Sequence, residues 1–443
     1  MHTLIKGATL INEGSQRIAD ILIENQNIIK IADVGIIKTA DKIIDADGLL
    51  LLPGIIDDKV HFREPGMTHK GDIYSESRAA AAGGVTSFME MPNTNPSTTD
   101  FNLLEQKFKI AAKNSLVNYS FFIGATNENT ELIAKTDSKT IAGVKMFLGS
   151  STGNLLVDKQ KAIEDILSVS PIIVAAHCEE DSIINKNLEF YKEKYGDNIP
   201  IKHHPDIRSE EACYSSSSKA VKAAEKTGGH LHVFHLSTEK ELELLSSEPL
   251  NQKKVTAEVC VHNLWFNDND YDKYGTKIKW NPAIKKESDR LALIQALKDG
   301  KIDIVATDHA PHTIEEKNNI YTKAPSGGPM VQHSLLVMLE LAQQSYFTIE
   351  DVAKWMCHNP AELYKIDKRG YIKEGYYADL VLVDPNEKTT VDKNNILYKC
   401  GWSPLEGTSF KNKIHTTFVN GVITYQNGKI FESNSAMKLI FCR

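Results

Sequence analysis

The sequence predicts an α/β protein, a (β/α)₈ TIM-like barrel with a small β-sandwich domain built from both termini. Three observations support this prediction. The 443 residues exceed one ordinary domain, both ends of the chain are rich in short strand-like runs, and the long middle alternates apolar runs with helical patterns. We expect residues 1–52 and 366–443 to form the sandwich and residues 53–365 to form the barrel.

The two ends of the chain share the same β-rich texture. Short runs of β-branched and alternating residues, separated by turn residues, occur in the first fifty positions and again near the C-terminus. These runs are residues 3–6, 18–23, 28–31, 42–46, 378–383 and 416–425. Because they flank one long middle segment, they indicate a single discontinuous domain.

The middle of the chain contains apolar runs that end in polar residues capable of chemistry. The predicted strands are residues 86–91, 143–148, 172–177, 232–235 and 302–308. In a (β/α)₈ barrel the active site lies at the C-terminal ends of the strands. Polar residues that recur at these ends therefore predict a barrel enzyme.

Composition excludes several classes of protein. The formal charge of −7 gives no reason to expect a nucleic acid or an anionic membrane as partner, and no apolar run approaches the length of a membrane span. The six cysteines are scattered and form no CxxC pair, which argues against a disulfide framework or a cysteine zinc site. With no signal peptide apparent, we expect a cytoplasmic protein. A homo-oligomer is left open.

One apolar strand runs into alternating polar residues at positions 54–66. Alternation along a strand places Lys59, His61 and Arg63 on one face. A single histidine at a strand end is more often a hydrogen-bonded structural residue than a ligand. The functional interpretation of His61 therefore depends on further sites of the same kind.

Three such sites follow. His177 and His235 each end an apolar strand, and Asp308 ends a third. A carboxylate that terminates a hydrophobic strand needs a cation or hydrogen-bond donors to offset its desolvation. Histidines and an aspartate that converge at one barrel mouth suit a divalent metal, with zinc the leading candidate.

Three motifs in the sequence resemble those of one known family. Residues 61–66 (HFREPG), 91–96 (MPNTNP) and 306–312 (ATDHAPH) resemble the dihydroorotases, cyclic amidohydrolases of the amidohydrolase superfamily. The likeness extends over nearly the whole chain. The closing segment, residues 375–382, is shared by the wider superfamily and says little about substrate.

The resemblance implies a metal site with one or two zinc ions per chain. The positions that match metal ligands of the family are His61, Lys145, His177, His235 and Asp308. Lys145 matches a lysine that relatives carry as a carbamate bridging two metals. The alternative is that Lys145 forms a salt bridge with Asp308 or with a substrate carboxylate.

The resemblance also implies a small-molecule substrate that carries a carboxylate. Arg63 and Asn93 match positions that hold this carboxylate, and Asn281 and His312 complete the pocket. A guanidinium fork suits a planar carboxylate, although Arg63 could instead form a surface ion pair. The implied reaction is the reversible hydrolysis of L-dihydroorotate to N-carbamoyl-L-aspartate in pyrimidine biosynthesis, by metal-activated hydroxide with Asp308 as proton shuttle.

Lys59 departs from the family pattern. Dihydroorotases usually carry a His-x-His motif here, whereas this chain has Lys59-Val60-His61, and an ammonium group cannot ligate a metal. We hypothesise that the charge of Lys59 partly replaces the first metal; the alternative is that its side chain swings out to solvent. Two other functions stay open: a hydantoinase, dihydropyrimidinase or allantoinase, or a catalytically impaired relative that serves as a structural partner.

Overall fold

The computed structural model describes residues 1–150 and 154–443. Its strands form an eight-stranded parallel barrel and a nine-stranded sheet drawn from both termini, which confirms the predicted fold class. The first strands are β1 (His2–Asn12), β2 (Ser15–Glu24), β3 (Asn27–Ala32), β4 (Lys42–Asp45) and β5 (Leu50–Pro53). The barrel strands are β6 (Ile55–Val60), β7 (Val85–Glu90), β8 (Asn118–Gly124), β9 (Gly143–Phe147), β10 (Val174–His177), β11 (Leu231–Val233), β12 (Val255–Cys260) and β13 (Ile304–Ala306). The last strands are β14 (Leu380–Asp384), β15 (Thr389–Thr390), β16 (Ser409–Phe410), β17 (Lys413–Val419), β18 (Val422–Gln426) and β19 (Lys429–Ile430).

Helices surround the barrel and fill its connections. They are α1 (Ile73–Ala82), α2 (Phe101–Asn114), α3 (Thr130–Ile133), α4 (Gln160–Val169), α5 (Asp181–Tyr195), α6 (His204–Ile207), α7 (Glu210–Thr227), α8 (Val261–Trp265), α9 (Tyr271–Tyr274), α10 (Glu287–Lys298), α11 (Ile314–Lys317), α12 (Ser334–Gln343), α13 (Ile349–Ala353) and α14 (Asn359–Tyr364). In the described ranges, none of these helices has both the length and the apolar character needed to cross a bilayer.

The terminal sheet joins the two ends of the chain through an antiparallel pair, β5 and β14. The long strand β1 pairs with β2 along one edge and with β4 and then β5 along the other. The sheet has its own apolar core, which includes Ile5, Leu51 and Leu382. The exact domain boundaries stay a prediction.

The predicted strand at residues 416–425 is two strands, β17 and β18. Asn420 and Gly421 both have positive φ, 50° and 77°, and form the turn between them. An Asn-Gly pair is the preferred sequence for a two-residue hairpin turn, because both positions need a left-handed backbone. The sequence therefore carried a turn signal within an otherwise continuous β-rich run.

The barrel strands follow one another in chain order, from β6 to β13. A parallel bridge between Val60 and His309 closes the ring, and the amide N–H of His61 donates to the carbonyl of His309 at 2.7 Å. Strand β8 was missed from the sequence because polar residues interrupt its apolar run. One of them, Asn118, is fully buried but donates to Asp379 Oδ2 at 3.1 Å, so its polar group is satisfied.

Candidate active site

All the residues selected from the sequence line one cavity of about 490 Å³ at the C-terminal ends of the barrel strands. These residues are Lys59, His61, Arg63, Asn93, Lys145, His177, His235, Asn281, Asp308 and His312. The parallel strands bring them together because each strand delivers its last side chains to the same rim. The predicted face shared by Lys59, His61 and Arg63 is present, since all three contribute to this cavity.

The first feature of the cavity is a pair of histidines. His177 Nδ1 lies 2.8 Å from His235 Nε2, and the two rings meet edge to face. Burial keeps the pKa of both imidazoles below the ordinary value. The nearby Lys145 adds to this effect for His177, and Lys59 adds to it for His235. Both rings are therefore neutral at neutral pH, the form in which imidazole can ligate a metal.

Glu179 holds His177 in place from behind. Its Oε2 lies 2.9 Å from His177 Nε2 and 2.6 Å from Arg208 Nη1. Burial alone would raise the pKa of Glu179, but the neighbouring Arg208 and the hydrogen bond to His177 together outweigh it and lower the pKa to about 2. Glu179 is thus a buried carboxylate that orients a histidine, a role that the resemblance did not assign. Its position two residues after His177 was the only sequence signal.

A second pair is formed by His61 and Asp308. His61 Nε2 lies 3.2 Å from Asp308 Oδ1, and His61 Nδ1 lies 2.8 Å from Asn93 Oδ1. Burial lowers the pKa of His61 to about 4, so its ring is neutral. Burial would raise the pKa of Asp308, but Lys59 and then His61 outweigh it and hold that pKa below the ordinary range. Asp308 is therefore a carboxylate that can accept a proton.

Lys59 lies inside the barrel mouth and is only 2% exposed, so the alternative that it swings out to solvent is wrong. Its Nζ lies 3.6 Å from Asp308 Oδ1 and 3.6 Å from Glu258 Oε1. The ring of Phe234, whose centroid is 4.6 Å from Nζ, closes the space beside it. The ammonium group is consequently held between two carboxylates. The second of these is Glu258, which was not among the residues selected from the sequence.

Lys145 projects from β9 among aromatic rings. Its Nζ lies 4.2 Å from the centroid of Phe234 and 4.6 Å from that of Phe147, and it has no hydrogen-bond partner in the described part of the chain. Burial and then the nearby Lys59 push the pKa of Lys145 well below the ordinary value. The predicted alternative, a salt bridge to Asp308, is not among the ion pairs of residues 1–150 and 154–443. The lowered pKa favours the neutral amine, which is the form that reacts with carbon dioxide to give a carbamate.

The opposite wall of the cavity is cationic. Arg63 Nε donates to the carbonyl of Pro311 at 3.0 Å, and its Nη2 lies 3.0 Å from His312 Nε2. Lys70 Nζ lies 3.0 Å from the other ring nitrogen of His312. Among the described residues Arg63 makes no surface ion pair with Glu64 or Asp72, contrary to that alternative. This row of donors suits an anionic ligand.

Lys279 is a further residue of this wall that sequence reasoning missed. Its Nζ donates to the carbonyls of Tyr321 and Ala324 at 2.7 and 2.6 Å. Burial and then Arg208 lower the pKa of Lys279 to about 8. These hydrogen bonds fix the segment of residues 322–327, which borders the cavity. Asn281 borders it as well, and its Oδ1 has no partner within the described ranges.

Beneath the mouth lies a separate group of polar residues, Asp58, His232 and Glu258, with ligand atoms within 4.8 Å of one another. Tyr364 donates to Asp58 Oδ2 at 2.8 Å. Desolvation raises the pKa of Asp58 to about 7, with nearby Glu258 adding to the effect. The cavity described above is not lined by Asp58, His232 or Glu258. This group is therefore a buried polar layer of the barrel interior and not part of its open site.

The family model for the amidohydrolase family matches residues 50–424. The chain therefore belongs to the amidohydrolase family. It is 32% identical over 413 residues to a dihydroorotase of Methanosarcina acetivorans, which covers 91% of this chain and 88% of the relative. It is also 32% identical over 431 residues to a dihydroorotase of Lactobacillus acidophilus, which covers 97% of this chain and 100% of the relative. The recognition made from the three motifs is confirmed.

Solved structures show the same fold. The L-hydantoinase of Arthrobacter aurescens superposes with a TM-score of 0.92 at 23% identity, covering 99% of each chain. The dihydropyrimidinase of Brevibacillus agri superposes with a TM-score of 0.89 at 21% identity, covering 100% of each chain. At these identities the likeness concerns the fold alone. The family match and the dihydroorotase relatives support a hydrolase of the cyclic amidohydrolase class.

Proposed function

We propose that this chain catalyses the reversible hydrolysis of L-dihydroorotate to N-carbamoyl-L-aspartate, a step of pyrimidine biosynthesis. The observation that carries the proposal is the position of Arg63 in the same cavity as Asp308 and the His177–His235 pair. Its Nε and Nη2 are engaged by the protein, while Nη1 makes no hydrogen bond to a described residue. A preoriented guanidinium next to the reactive groups suits a substrate that carries a carboxylate on its ring.

We also propose that the cavity binds zinc at His177 and His235, with Lys145 as a carbamate. The donor set fits such an ion. Two neutral imidazoles converge to 2.8 Å, and Lys145 contributes a buried amine without a described partner that a carbamate would convert into an anionic oxygen ligand. Three protein ligands with an open position are typical of catalytic zinc. His61 and Asp308 are the remaining donors at the rim.

A zinc ion bound here would lower the pKa of a water and polarise the amide carbonyl, which supplies a nucleophile at neutral pH. Asp308 takes the proton of this nucleophile, because its low pKa keeps it ionised. It then delivers the proton to the ring nitrogen as the carbon–nitrogen bond breaks. In the reverse direction Asp308 removes a proton from the carbamoyl nitrogen as this nitrogen attacks the carboxyl carbon, and it passes that proton to the oxygen that leaves as water.

The cationic wall positions the substrate for these steps. Arg63 donates to the ring carboxylate, and Asn93 can add its amide N–H groups because its Oδ1 faces His61. The Pro311 carbonyl, which accepts from Arg63 Nε at 3.0 Å, holds the guanidinium in place. The His312 ring packs beside it, with Nε2 3.0 Å from the Ser326 carbonyl and Nδ1 3.0 Å from Lys70 Nζ. Orientation of this kind is a large part of the rate enhancement, since it converts a bimolecular encounter into a near-attack geometry.

The substrate assignment is tested by Arg63→Lys. We expect kcat/KM for dihydroorotate to fall about 10- to 100-fold although the charge is kept, because the ammonium group loses the fork geometry. Steady-state kinetics with dihydroorotate, and with the uncharged rings dihydrouracil and hydantoin, measure the effect. Arg290→Lys is the matched control, since Arg290 pairs with Glu287 outside the cavity.

Two outcomes contradict the assignment. One is unchanged kinetics with dihydroorotate for Arg63→Lys and Asn93→Ala alike. The other is wild-type protein that opens dihydrouracil or hydantoin faster than dihydroorotate, which would favour the dihydropyrimidinase or hydantoinase alternative. Absence of turnover on all three rings would instead favour the structural-partner alternative.

The zinc site is tested separately through Glu179→Gln. This change keeps the size of the side chain but removes the charge that faces His177 Nε2 and Arg208. We expect zinc affinity to fall about 10- to 100-fold, as is common for groups that orient a ligating histidine. Competition with a chromophoric chelator measures it. Equal affinity in both proteins would show that Glu179 does not orient a metal ligand.

A further inference from the structure

The cation position next to Asp308 is already filled by a side chain of the protein. Lys59 Nζ lies 3.6 Å from Asp308 Oδ1, the same oxygen that lies 3.2 Å from His61 Nε2. His61 Nδ1 faces Asn93 Oδ1 at 2.8 Å, so Asp308 Oδ1 lies between the His61 ring and the Lys59 ammonium group. A positive charge at this distance stabilises the Asp308 carboxylate, and Lys59 supplies one.

Glu258 keeps this ammonium group where it is. Glu258 is fully buried, and its Oε1 lies 3.6 Å from Lys59 Nζ and 3.3 Å from the backbone N of His235. The aromatic ring of Phe234 blocks the other side. Separating a buried ammonium group from Asp308 and Glu258 is costly, and this cost keeps Lys59 at the mouth.

The donor side chains at the mouth form two pairs, which differ in how well each could bind a divalent ion. His177 and His235 gain a third ligand if Lys145 carries a carbamate. His61 and Asp308 offer two donors and could share a carbamate at Lys145, but an ion between them would lie close to the Lys59 ammonium and be repelled by it. Within the described residues, the one group of three donor side chains of the His, Cys, Asp and Glu type is the layer beneath the mouth.

We propose that the Lys59 ammonium group takes the place of a metal ion next to His61 and Asp308. The mouth then binds a single divalent ion, at the His177–His235 pair, and Lys59 serves as a positioning residue for Asp308. The inference rests on the proposed zinc site and adds the number of ions and the residue that takes the place of the first metal. It assigns Glu258 as the anchor of Lys59.

The test is the zinc content of the full-length protein after dialysis against a mild chelator, measured by elemental analysis. We expect about one ion per chain for the wild type and about two for Lys59→His, which removes the ammonium and adds an imidazole donor. Lys253→His is the matched control, because Lys253 is likewise buried and paired with a carboxylate, Asp303, but lies outside the cavity. Its zinc content should equal that of the wild type.

A second measurement needs no variant. Wild-type protein loaded with manganese should give the electron paramagnetic resonance spectrum of an isolated ion, and a spin-coupled pair would overturn the inference. Lys59→Gln should keep one zinc per chain while kcat falls about 10²-fold with little change in KM, because Asp308 loses the charge that orients it. A Lys59→Gln protein with wild-type kcat would likewise overturn the positioning role.

The outcomes separate this inference from the proposed function. Two tightly bound ions in an active wild-type protein overturn the role of Lys59 and leave the dihydroorotase assignment intact. One ion in a folded Lys59→His protein, shown by an unchanged circular dichroism spectrum, also overturns it. A wild-type protein that binds no zinc overturns the proposed metal site and this inference with it.

Discussion

Replacing Asp308 with asparagine is expected to lower kcat for dihydroorotate hydrolysis about 10³-fold. Asparagine has nearly the same shape, and it can still contact His61, but it cannot take the proton of the nucleophile or deliver one to the ring nitrogen. The zinc content should stay at the wild-type value, because His177 and His235 hold the ion. Steady-state kinetics and elemental analysis of the same preparation measure both quantities.

Asp308→Glu serves as the comparison for this variant. It keeps the carboxylate but moves it by one methylene, so kcat should lie between those of the wild type and the asparagine variant. If Asp308→Asn retained more than about a tenth of the wild-type kcat, general acid–base catalysis by Asp308 would be excluded. Loss of zinc together with activity would instead make Asp308 mainly a ligand.

The second large effect is expected for His235→Ala. This substitution removes one of the two imidazoles that converge to 2.8 Å, and His177 alone cannot retain the ion. We therefore expect zinc and activity to be lost together. A catalytic zinc site with two protein ligands in place of three is uncommon, and an ion held so weakly dissociates on dialysis.

His230→Ala is the matched control for this variant. His230 precedes the same strand, β11, at its opposite end, where it is exposed and contacts Lys254. Its removal should change neither zinc content nor kcat. Full zinc retention by His235→Ala, in a protein that is folded by circular dichroism, would show that the ion is bound elsewhere in the chain.

The sequence by itself determined the fold class and most members of the site, but not Glu179, Glu258 or Lys279. Apolar runs that end in polar residues predicted a barrel, and the rule that parallel strands end at one rim predicted that His61, His177, His235 and Asp308 meet. They line a single cavity. Local signals were sufficient here, because each residue is placed by the strand that carries it and not by a distant contact.

Other features were decided only by the tertiary structure. The sequence left Lys59 either at the mouth or in solvent, and the choice depends on Glu258 and Phe234, which come from strands far away along the chain. The sequence likewise did not show that Glu179 is ionised, because its charge depends on the neighbouring Arg208. Burial and the pairing of charges across the barrel are properties of the packed interior, so alternation along one strand cannot reveal them.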